Sequence, residues 1–158
     1  MPHSPIVGLI GFASLMFIFI GLTVASTNLV LDYRMKIATE ELKAVGSSMS
    51  GQILEALSLA SQSSSDETFY LRLMMPDECV SGHYSVELSF SEGKPLLILK
   101  PVVSVKPQVR VHLPSSIGFV SVVQSSVSSG ARWNYVAVTP VGDDGFQLEL
   151  VYFRGGIG

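Results

Sequence analysis

From Ile6 to Leu31 the chain runs for 26 residues without Asp, Glu, Lys or Arg. A helix needs about 20 apolar residues to cross the hydrocarbon core of a bilayer. This stretch exceeds that, with room for tilt. Its centre, IVGLIGFASLMFIFIGLTVA, is almost wholly Ile, Leu, Phe, Val, Gly and Ala. A helix apolar on every side is stable in lipid or among other apolar helices. In a chain of 158 residues it is too long for an ordinary core helix. It is expected to be a membrane span or the core of a helical polymer. A cleaved secretory signal fits poorly: only MPHSP precedes the run, without a basic residue. The run also exceeds the about 7–15 apolar residues of a signal h-region.

The remaining composition narrows the function classes. Apolar residues make up 47% of the chain, which excludes disorder as a description of the whole. Only 15% of residues are charged, against about 25% in soluble domains. Thirteen acidic and ten basic residues leave a net charge of −3, so there is no basic footprint for nucleic acid. Cys79 is the single cysteine, so neither an intrachain disulfide nor a cysteine-based zinc site can form.

Beyond the apolar run, Asp32, Arg34, Lys36, Glu40, Glu41 and Lys43 arrive together. Apolar residues then recur at Leu42, Val45, Met49, Ile53, Ala56 or Leu57, and Ala60, in steps that mark one face of a helix. No proline falls between Pro5 and Pro76. One helix is expected from about Pro5 to Ser61, about 85 Å long. It comprises an apolar segment over residues 6–31 and an amphipathic extension over 32–62. Ser-rich sequence from Ser61 to Asp66 ends it, and residues 63–158 form a head domain.

The head alternates with period two. Phe69, Leu71 and Leu73 share one face; so do Tyr84, Val86, Leu88 and Phe90, then Val109, Val111 and Leu113, then Phe146, Leu148 and Leu150. Further strands are expected at Leu96–Lys100, Phe119–Val123 and Trp133–Thr139. Turn sequences separate them at Ser91–Lys94, Ser128–Gly130 and Gly142–Gly145. The fold class is α+β: a long N-terminal helix, then a small antiparallel β-sandwich of about seven strands.

Catalytic and metal-binding patterns are weak throughout. Cys79 and His83 flank a turn and imply no pocket. Asp143 and Asp144 do not complete a calcium cage, and a hairpin turn explains them. No Walker or dinucleotide-binding sequence occurs. Arg110, Arg132 and Arg154 read as solvated edge charges, and Trp133 with Tyr135 reads as core or inter-subunit packing rather than a sugar platform. No catalytic residue, metal or cofactor is expected.

Ser4-Pro5-Ile6-Val7 before a glycine-dotted apolar helix, an amphipathic continuation, and Phe69–Leu73 with Met75-Pro76 follow one another along the chain. Gly82-His83-Tyr84-Ser85-Val86-Glu87-Leu88 and Val109–Pro114 followed by Gly130 continue the pattern. This layout resembles archaeal type IV pilin-like proteins, including the single-span accessory proteins of the archaeal flagellum (archaellum). The resemblance implies a subunit that waits in the membrane. A secretion ATPase and a platform protein then extract it into a homopolymer, with helices inside and β-heads outside, serving adhesion or motility.

On that reading Gly8, Gly11, Phe12, Leu15, Phe19 and Leu22 pack helix on helix. Leu42, Val45, Met49 and Ile53 dock the lower helix on the head or on a neighbour. The family's signal peptide places Lys or Arg, then Gly or Ala, before the helix, and MPHSP has neither. The alternative is therefore an uncleaved anchored accessory or stator protein whose head binds the surface layer or a filament. Arg34, Lys36 and Lys43 follow the span, which by itself puts the head in the cytoplasm; the resemblance puts it outside.

Overall fold

A computed structural model describes residues 5–63, 67–80, 82–91, 93–102, 108–114, 119–131, 133–142 and 145–152. Helix α1 spans Pro5–Gln62, 58 residues. The chain divides into two compact units, one ending at Lys36 and the other comprising Ile37–Gly158. The Ser64–Asp66 part of the expected linker lies outside the described residues.

In the first unit every described side chain from Val7 to Lys36 is exposed. The helix is long and apolar enough to cross a membrane, and its most apolar window is 0% buried within the molecule. Three of its hydroxyls are satisfied internally. Ser14 Oγ donates to Ile10 O, Thr23 Oγ1 to Phe19 O, and Thr27 Oγ1 to Thr23 O, at 2.9, 2.8 and 2.8 Å. Polar groups bonded back to the preceding turn cost little in an apolar medium. The N-terminal helix thus has the length, composition and surface of a membrane anchor.

The second unit begins within α1. Ala38, Leu42, Val45, Met49, Ile53, Ala56, Leu57 and Ala60 are buried, at the spacing of one helical face. Eight strands follow: β1 Phe69–Arg72, β2 Tyr84–Ser91, β3 Lys94–Pro101, β4 Val109–His112, β5 Phe119–Val122, β6 Ser125–Ser128, β7 Asn134–Val141 and β8 Gly145–Tyr152. They form two four-stranded sheets, ordered β1-β7-β8-β5 and β4-β3-β2-β6. Hairpin β2–β3 turns in register Ser91↔Lys94, where Gly93 at φ +76 supplies the left-handed residue. Hairpin β7–β8 closes Val141 on Gly145, and Gly142 at φ +68 does the same.

One hydrophobic cluster unites the helix face with both sheets: Leu42, Met49 and Ile53 with Val86, Leu97 and Leu99 of one, and Val136, Val138 and Leu148 of the other. Residues 37–62 are therefore part of the head's core.

The expected α+β architecture, a long helix followed by a two-sheet β head, is present, and two details differ. The sheets are not wholly antiparallel: β5 pairs parallel with β8, Phe119↔Gly145 through Val122↔Leu148. Where about seven strands were expected the described residues hold eight, because Ser125-Ser126-Val127-Ser128 adds to the open edge of β2, Val127 opposite Val86. With one apolar residue in four, β6 has little strand signal of its own.

Candidate functional site

Two sets of residues were expected to carry assembly. At about 100° per residue, Gly8, Gly11, Phe12, Leu15, Phe19 and Leu22 share an arc about 100° wide on α1. Phe12, Leu15, Phe19 and Leu22 are 63–70% exposed, and nothing lies within 4 Å of a Cβ built on Gly8 or Gly11. The fold brings none of the six into contact with another element among the described residues. Leu42, Met49 and Ile53 are fully buried and Val45 nearly so. They meet this chain's own strands. Gly46, between them, lies so close to β4 that a Cβ there would sit 2.6 Å from Val111 Cγ2.

Polar contacts concentrate where α1 meets the loop after β1. Gln52 Oε1 accepts from Met74 N at 2.7 Å, and Gln52 Nε2 donates to Met74 O at 2.9 Å. This side-chain amide stands in for a neighbouring strand. Val80 N donates to Glu41 Oε2 at 2.7 Å. Tyr84 OH donates to Pro76 O at 2.8 Å. Burial pushes the Tyr84 phenol well above its ordinary pKa, helped by Cys79 and Asp77. The proton is thus retained as a structural donor.

Both ring nitrogens of His83 face the segment that precedes Cys79. His83 Nδ1 meets Asp77 O at 3.0 Å, and Nε2 lies 3.3 Å from Glu78 Oε1. Burial, then the Glu41 carboxylate, pushes the Cys79 thiol up, away from the reactive thiolate. No group of metal-holding side chains occurs among the described residues. Asp143, Asp144, Arg132 and Arg154 lie outside them; Arg110 is exposed on β4. On the outer face of the second sheet, Lys100 Nζ pairs with Glu87 Oε2 at 2.6 Å and Gln124 Nε2 donates to Glu87 Oε1 at 3.0 Å. These bonds hold the Glu87 carboxyl below its ordinary pKa.

A feature the sequence did not expose is a cleft of about 500 Å³ at the end of β1, lined among others by Arg72, Met74, Asp77, Ser129 and Asn134. The Arg72 guanidinium lies 4.2 Å from the Trp133 ring centroid. Trp133 and Tyr135 alternate with buried Asn134 and Val136, so they belong to the outer side of the β1-β7-β8-β5 sheet and not to the core cluster. Arg72 is far in sequence from Ser129 and Asn134, and the β1–β7 pairing, Arg72↔Tyr135, brings them together.

A family model described as a family of unknown function, DUF7266, matches residues 3–151, and the chain belongs to that family. No curated protein and no solved structure matches it.

Proposed function

We propose that this member of the DUF7266 family is a pilin-like structural subunit of an archaeal type IV surface filament, serving adhesion or motility. The observation that carries this reading is the division of labour along α1. Its first half is apolar and exposed on all sides, and its Ser14, Thr23 and Thr27 hydroxyls bond back to the preceding turn. Its second half is built into a β-rich core. Such a helix end is stable both in lipid and among copies of itself. Transfer from membrane to polymer then costs little apolar solvation.

On this reading the partners are further copies of the chain, with a secretion ATPase and platform protein acting in trans, and the head faces outward. The arc through Gly8, Gly11, Phe12, Leu15, Phe19 and Leu22 is the helix–helix contact. No step of chemistry is assigned to the chain. The test is to shear native cells and analyse extracellular filaments and membranes by intact mass and N-terminal peptide. The chain is expected as the major sheared species, and Leu15→Glu is expected to abolish it. Filaments of normal length from the Leu15→Glu strain overturn the proposal. A chain found only in membranes, with Met1–Pro5 retained, identifies the anchored accessory protein instead.

A further inference from the structure

The cleft at the end of β1 lies wholly within the unit that begins at Ile37. Its volume, about 500 Å³, falls within the range of small-ligand sites. One wall, Leu73–Asp77, has no regular secondary structure, yet four of its five residues are tied down through the backbone. Leu73 N donates to Asn134 O, Met74 exchanges two bonds with Gln52, Pro76 O accepts from Tyr84 OH, and Asp77 O meets His83 Nδ1. The floor is held in part, with the buried Asn134 Oδ1 left without a hydrogen-bond partner among the described residues. Ser129 Oγ accepts from Tyr84 N, and Asn134 Nδ2 donates to Ser128 O. A wall so fixed is formed before a ligand arrives, which reduces the ordering cost of binding.

Two opposite charges line this cleft, Arg72 and Asp77. Among the described residues neither makes an ion pair. Arg72 is instead held over the Trp133 ring, which orders its guanidinium without neutralising it. Around Arg72 stand Tyr70, two residues away on the same exposed side and 52% exposed, Tyr135 directly opposite, and Met74 at 79% exposure.

We propose that this cleft binds an acidic saccharide. The carboxylate of a uronate residue sits on the Arg72 guanidinium, and ring hydroxyls donate to the Asp77 carboxylate. A planar guanidinium matches a carboxylate in bidentate fashion, and an ionised aspartate accepts but cannot donate, so it asks for hydroxyls. The C–H faces of a sugar ring pack on the Met74 and Met75 thioethers that line the cleft. An extended peptide added as a strand needs a run of free backbone groups, and in the wall Leu73 N, Met74 N and O, Pro76 O and Asp77 O are already engaged. The assignment goes beyond the filament reading and is tested without assembly.

Trp133 is the sole tryptophan, so its emission reports on this site. The full chain, held in a sugar-free detergent, is titrated with tri-galacturonate, maltotriose and tri-glutamate. Tri-galacturonate is expected to give a saturable change, and the other two none over the same range. Arg72→Gln is expected to weaken binding about tenfold. Asp77→Asn, a second exposed position, weakens it by a smaller factor and serves should Arg72→Gln melt early. The proposal is overturned by the absence of saturable tri-galacturonate binding at millimolar concentration, or by both variants keeping wild-type affinity. Equal binding of maltotriose overturns the anionic class, and equal binding of tri-glutamate overturns the saccharide.

Discussion

Gly46 and Gly51 look alike in the sequence, two glycines in the middle of a helix, yet their surroundings differ completely. A Cβ on Gly46 would meet Val111 Cγ2 at 2.6 Å and Leu99 Cδ1 at 3.0 Å, whereas one on Gly51 meets nothing within 4 Å. The nearer obstacle is a methyl of the stiff, β-branched Val111, so α1 or β4 must move. Gly46→Ala is expected to destabilise the head by about 1–3 kcal/mol. Gly51→Ala is expected to stabilise it by up to about 1 kcal/mol through helix propensity alone. Denaturant unfolding of both variants checks the pair, and equal effects of the same sign contradict the close approach.

Glu87 gives a second residue-scale expectation. Its folded pKa is lowered by Lys100 and Gln124. Its contribution to stability is therefore present above the unfolded pKa and lost as the pH falls through the lower, folded one. Because the pair is partly exposed, it is worth under about 1 kcal/mol. The stability gap between wild type and Glu87→Gln should be measurable at neutral pH and close in acid. None of these distinctions was legible beforehand, since a glycine's neighbours and a carboxylate's partners come from other strands.

At the scale of elements, α1 is one helix with two kinds of surface. Its extent was readable from the missing prolines and the change from an all-round apolar run to one apolar face. The docking face was readable too, because steps of three and four leave few arrangements for Leu42, Val45, Met49 and Ile53. What they dock on was not. Met49 is fully buried in a cluster with strands of both sheets, so Met49→Ala is expected to cost about 2–5 kcal/mol in thermal or denaturant unfolding. If residues 37–62 merely linked anchor and head, the change would be near neutral. β6 shows the opposite limit. Three serines and a valine carry no strand pattern worth the name, and the strand exists because β2 offers Val86 opposite Val127. The parallel β5–β8 pair was equally hidden, since strand direction is set by connections and not by alternation.

For the molecule as a whole, the boundary that matters falls at Lys36–Ile37 and not at the end of the helix. A chain starting at Ile37 is expected to fold and stay in solution without detergent. One starting at residue 63 is expected to aggregate, because it exposes the sheet residues that α1 covers. Size-exclusion chromatography and circular dichroism of the two chains test this directly.

The sequence by itself determined the kind of molecule: a membrane-length apolar helix, an amphipathic continuation and a β-rich head. Those follow from local periodicity and from the cost of placing apolar surface in water. Only the tertiary structure decided that the continuation is core, that an eighth strand and a parallel pair complete the sheets, and that Arg72, Asp77, Ser129 and Asn134 share one cleft. These depend on contacts between residues distant along the chain, and no local pattern encodes which distant surface a given face will meet.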